Sequence, residues 1–149
     1  MNGKTCRFTA LMVAFCLMLP GLVYAQGQAG AGWGLNAGYD LLEQGKFDQA
    51  QKVFEEVLHQ DPGHPLALNN LAAIMVKQGK FDQALACLQR ALPRAKGFKV
   101  ALNRVCNVDG VCAARCMEAE QFGTEDLERV VKSNLLMVEM ARSSRPGKK

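Results

Sequence analysis

Four cysteines, Cys87, Cys106, Cys112 and Cys116, are the residues of this chain with the clearest capacity for chemistry. Three roles suit them. Thiolates at this spacing could hold a metal, but the paired C-x-x-C or neighbouring histidine of a strong zinc pattern is missing. They could cycle between thiol and disulfide, yet the C-x-x-C of a redox site is absent as well. The third role is a structural staple, which an even cysteine count favours in a chain of this size made for an oxidising compartment. A helix from about Val111 to Gln121 would place Cys112 and Cys116 about 5 to 6 Å apart at Cβ, too far for an unstrained disulfide. The expectation is therefore that Cys87 and Cys106 each bridge to one of that pair.

His59 and His64 flank Asp61-Pro62-Gly63. Neither has a serine or cysteine nucleophile with an orienting acid at an interpretable spacing. No phosphate-binding loop and no dinucleotide fingerprint is present. The reading is of a chain without catalytic residues, and neither a cofactor nor a metal is expected.

The oxidising compartment is inferred from the first 25 residues. Lys4 and Arg7 precede the apolar run Phe8–Leu19, then Pro20-Gly21, then Val23-Tyr24-Ala25 ahead of Gln26, the three-part layout of a secretory signal. The run is shorter than the roughly 20 residues a bilayer demands, so no retained span is expected, and the product would be periplasmic or secreted after cleavage near Ala25. The other two cysteines, Cys6 and Cys16, fall within that segment. The formal charge of +4 owes much to this segment and to a tail holding Arg142, Arg145, Lys148 and Lys149. No basic stripe remains on the body for nucleic acid.

What must position these side chains is a repeat. Gly45-Lys46-Phe47-Asp48-Gln49-Ala50 returns as Gly79-Lys80-Phe81-Asp82-Gln83-Ala84, 34 residues later, and Ala67-Leu68-Asn69 returns as Ala101-Leu102-Asn103 at the same interval. A period of this size signals stacked supersecondary units. After a glycine-rich lead-in over 26–34, helices are expected from about Leu35 to Gln44, from Phe47 to Gln60, from Pro65 toward Gly79, and from Phe81 to about Pro93. The glycines suit left-handed C-terminal stops, and Pro65 suits a first helical position. Val53, Phe54, Val57 and Leu58 give the second helix one apolar stripe.

Both units resemble tetratricopeptide repeats. The signature positions read Gly38, Leu41, Gly45, Phe47, Ala50, Phe54 and Pro62 in the first, and Leu71, Ala72, Met75, Gly79, Phe81, Ala84, Leu88 and Ala91 in the second. The first unit lacks the bulky residue early in its opening helix, and the second lacks a proline at Lys96. The resemblance implies an all-α solenoid of helix-turn-helix units, with repeats over about 31–64 and 65–98. A degenerate third over 99–123, a capping helix over 124–142 with Thr124 as its N-cap, and a disordered tail over 143–149 would complete the chain.

It also implies a concave face on which a segment of a partner protein lies. By position, that face comprises Tyr39, Leu42 and Glu43 from the first unit, Asn69, Asn70, Ala73 and Lys77 from the second, and Asn103 and Arg104 from the third. Asparagine offers a donor and an acceptor to a peptide backbone, and an arginine fork suits a carboxylate. Asn69 and Asn103 could equally tie neighbouring helices together. The expected task is protein–protein interaction, with an envelope or pilus assembly complex as one setting and self-association open. The alternative is a thiol-redox or metal-binding envelope factor using Cys106, Cys112 and Cys116.

Overall fold

The computed structural model describes residues 30–108, 110–116 and 124–144; the signal segment expected over 1–25 and residues 145–149 of the expected tail lie outside them. Helix α1 spans Gly30–Glu43, α2 Phe47–Gln60, α3 Pro65–Lys77 and α4 Phe81–Ala95. Strands β1 (Lys99–Val108), β2 (Val111–Cys116) and β3 (Thr124–Asp126) follow, then α5 (Leu127–Ser143). No helix of the described residues is long and apolar enough to cross a membrane.

The repeated six residues make the same corner twice. Gly45 and Gly79 sit at φ 72° and 74°, a region open to glycine because it has no Cβ to clash. Each then closes a Schellman turn: the Lys46 N–H donates to Leu41 O at 2.9 Å, and the Lys80 N–H donates to Met75 O at 2.8 Å. Phe47 and Phe81 begin α2 and α4 at equivalent places and pack against the core, with Phe81 buried and Phe47 half-buried.

Helix α1 begins at Gly30, inside the stretch expected to lack helix. Its glycines serve close packing instead of chain flexibility: a Cβ at Gly38 would stand 2.6 Å from the Phe54 ring, and one at Gly34 would stand 3.3 Å from Val57 Cγ2. Helix α3 is the centre of the fold. Every residue from Pro65 to Val76 is buried, because α3 is packed against by α2, α4, α5 and the sheet. A helix covered all round can be apolar all round, and each of Leu66, Leu68 and Ile74 contributes roughly 1.5 to 3 kcal/mol by burial.

The helical repeat architecture holds through α4. The degenerate third unit does not form as helices: Lys99–Val108 and Val111–Cys116 are antiparallel strands of a sheet ordered β2-β1-β3. Two local preferences override the Ala-Leu-Asn echo. Val100, Val105, Val108 and Val111 are β-branched and fit a pleated surface, and Asp109-Gly110 between two valines is a strong hairpin signal. Gly110 has φ 85°, and Val108 pairs with Val111 across the turn.

Thr124 is not the N-cap of the last helix, since it pairs with Ala101 in β3. Asp126 takes that role. Its Oδ1 accepts the Glu128 N–H at 3.0 Å and its Oδ2 accepts the Gly97 N–H at 3.1 Å. The capping helix thus runs Leu127–Ser143, packed on α4, with its buried stripe formed by Leu127, Val130, Val131, Asn134 and Val138.

Candidate functional site

Strand β2 lies at an edge of the sheet, so one side of its backbone pairs with β1 and the other needs donors and acceptors from elsewhere. Asparagines supply them. Asn70 Nδ2 donates to Ala114 O at 2.8 Å, and Asn70 Oδ1 accepts the Ala114 N–H at 2.8 Å. One step along, Asn134 Oδ1 accepts the Cys112 N–H at 2.9 Å and Asn134 Nδ2 donates to Cys112 O at 2.8 Å. Asn69 joins the two, donating to Cys112 O at 3.0 Å and to Asn70 Oδ1 at 3.2 Å while accepting from Asn134 Nδ2 at 2.9 Å. All three asparagines are fully buried.

A side-chain amide carries the same donor and acceptor as a peptide group. Asn70 and Asn134, spaced to meet alternate residues, therefore stand where a neighbouring strand would stand. Helices α3 and α5 make the ladder possible by placing three amides against one strand edge.

The flanks of this surface are ionic and aromatic. Tyr39 is fully buried, its ring 5.7 Å from the Arg115 guanidinium carbon. Arg115 Nη1 pairs with Asp40 Oδ1 at 3.0 Å. Burial, and then the carboxylate of Glu43, push the Tyr39 hydroxyl up to about 12, so it remains a neutral phenol at any physiological pH.

The residues assigned to the concave face divide accordingly. Tyr39, Asn69 and Asn70 are brought together, but against the chain's own β2. Leu42 and Ala73 are buried in the core. Glu43 and Lys77 are exposed at the rim, with Lys77 Nζ 5.8 Å from the Phe47 ring centroid. Asn103 and Arg104 belong to β1, and their side chains lie outside the described residues. Asn134, Asp40 and Arg115 were missed from the sequence. For Asn134 a signal existed: a polar residue within the apolar spacing of Leu127, Val130, Val131 and Val138.

The cysteines need correction. Cys87 is a free thiol on α4, half-buried, with its pKa raised by burial against the lowering effect of Arg90; it bridges to neither Cys112 nor Cys116. Helix α4, which carries this thiol, packs mainly on α3 and α5. Cys112 is not free, and the group it is joined to lies outside the described residues. The side chains of Cys106 and Cys116 are likewise outside them. Among the described residues, no group of three or more His, Cys, Asp or Glu side chains is placed to hold a metal.

His64 is structural. Its Nδ1 accepts the Ala67 N–H at 3.4 Å as the N-cap of α3, and its ring meets Phe98 edge-on at 5.6 Å. Residues 41–101 match the family model described as Tetratricopeptide repeat. No curated protein and no solved structure matches the chain.

Proposed function

We infer that this chain, a tetratricopeptide repeat protein by its residues 41–101, serves as a scaffold for protein–protein interaction and not as an enzyme. The observation that carries this reading is the asparagine ladder. Its three buried amides hold an extended polypeptide backbone by its N–H and C=O groups, the chemistry a peptide-recognising face requires. No described residue is assigned a catalytic role.

The reading extends to location and to covalent stapling. The N-terminal segment directs export, the scaffold works in the periplasm or outside the cell, and Cys112 is bridged there to Cys106. An envelope assembly complex, pilus assembly included, is the proposed setting. The partner is a protein, and nucleic acid is not expected.

A photo-reactive residue placed at the rim positions Glu43 and Lys77, and separately at the back-face positions Lys52 and Gln89, tests the scaffold reading in the producing cell. Cross-links from both rim positions to one common polypeptide, absent from the back-face positions, are the expected outcome. Absence of cross-links from every position, with the protein folded and exported, would remove the reading.

A further inference from the structure

Strand β2 meets the inner face in the way a bound ligand meets a receptor. Both backbone groups of Cys112 and both of Ala114 are taken up by amide side chains from α3 and α5. Recognition at these two positions is therefore independent of sequence and demands an extended chain. Val111, Ala113 and Ala114 are buried, so a side chain larger than alanine at 113 or 114 would have to push packed neighbours aside, which costs stability. The next residue, Arg115, reaches Asp40 and lies over Tyr39. Together these contacts specify a short extended segment with two consecutive small residues followed by arginine.

The same contacts leave the ladder no capacity for a second strand while β2 is in place. Gly97 at φ 76° precedes the hairpin and Gly110 at φ 85° turns it, so its connections bend at residues with wide backbone freedom. Both ends of the sheet are anchored, through α4 on one side and through β3 into α5 on the other. Exchange of the hairpin with a second copy would have to undo the packing of α5 on α4. A linear segment of a different protein faces no such restriction.

We propose that the asparagine ladder is the receptor for an extended, small–small–arginine segment of a partner protein, and that β2 is a built-in competitor which keeps the receptor closed until that segment displaces it. This rests on the scaffold reading and names the partner and the regulation of that site. A tethered competitor acts at an effective concentration of order millimolar, and the apparent affinity for a free segment falls by the fraction of molecules that are open. Displacement selects for segments that match β2 closely or exceed it.

The test uses the full chain and a synthetic peptide with the sequence of residues 111–116, serine replacing both cysteines. Ala114→Glu puts a charged side chain where a fully buried methyl sits and expels β2 while leaving Asn69, Asn70 and Asn134 in place. The peptide is expected to bind the Ala114→Glu chain at least tenfold more tightly than the wild type. Adding Asn70→Leu should remove that gain, as should a peptide with glutamine at its arginine. Equal binding to wild type and Ala114→Glu, or binding to neither while circular dichroism shows the helices intact, overturns the proposal.

Hydrogen exchange on the wild-type chain decides the matter should Ala114→Glu fail to fold. The amides of Cys112 and Ala114 should exchange through an opening that leaves the α3 amides protected; exchange of both sets only together overturns the proposal. Rim cross-links to a partner alongside a failed peptide test would leave the scaffold and remove the gate.

Discussion

Asn70 grips Ala114 by both backbone groups at once, each hydrogen bond 2.8 Å long and fully buried. Asn70→Ala leaves two buried backbone groups without partners, at about 1 to 3 kcal/mol each. The expected loss of stability is about 2 to 5 kcal/mol, read from urea unfolding. Gln51→Ala, which removes a 2.7 Å bond to Gln78 on the exposed surface, should change stability by less than about 0.5 kcal/mol. Asn134→Ala belongs to the same network, so the two losses should combine non-additively. Strict additivity would mean that the ladder does not act as a unit.

Gly38→Ala sets helix propensity against packing. Alanine favours a helix interior by about 1 kcal/mol over glycine, but the new Cβ would meet Phe54 at 2.6 Å, and overpacking of this kind costs about 1 to 3 kcal/mol. Packing should win, lowering the thermal midpoint, and Phe54→Leu in the same chain should return part of the loss. Gly45→Ala meets nothing within 4 Å but sits at φ 72°, so its penalty of about 1 to 2 kcal/mol is backbone strain and should be indifferent to Phe54→Leu. A rescue of both variants alike would show that the helix contact is not the cause.

These corners are legible because a repeated hexapeptide demands a repeated geometry, and a glycine closing a helix answers a left-handed backbone that few residues adopt. The start of α1 is not, since its glycines answer to the Phe54 and Val57 side chains on another helix. The third unit reads as helix only while three echoed letters outweigh the Asp109-Gly110 turn and the valines around it. Asparagine at 69 and 70 is recognisable from sequence as a backbone-binding residue. That the backbone is the chain's own depends on recognising the strand first, and with it Asn134, which lies 64 residues from Asn70 in the sequence.

Burial lowers the pKa of His64, with the nearby Asp61 charge opposing and the Arg94 charge assisting. The folded protein thus holds a neutral ring, as an acceptor of the Ala67 N–H must be. In the unfolded chain the group takes up a proton near pH 6.5. Between that value and its lower folded pKa the unfolded state binds more protons, so this contribution is complete above about pH 6.5 and is lost as pH falls toward the folded pKa. The urea midpoint of the wild type should drop between about pH 7 and 5. His64→Asn, which can still cap α3, should show a shallower drop over that window; identical slopes would locate the pH dependence elsewhere.

The proposed pairing of Cys112 with Cys106 is constrained by the strand in which Cys112 lies. Four residues along a strand is roughly 13 Å, well past the roughly 7 Å limit between the Cα atoms of a disulfide, so Cys116 of the same strand is excluded as its partner. Cys87 is excluded because it is free. Strand β1 sets Val105 opposite Ala113 and Val108 opposite Val111, with a shift in register between the two pairs, and Cys106 is the cysteine of β1 in that stretch. Peptide mapping of the exported protein without reductant should recover a Cys106 to Cys112 link and an alkylated Cys87. A bridge from Cys87, or one joining Cys112 to Cys116, would remove the proposed pairing. With the proposed link present, Cys106→Ser should also speed hydrogen exchange at the hairpin amides several-fold while leaving α2 and α4 unchanged, since such a link would fasten β2 to β1.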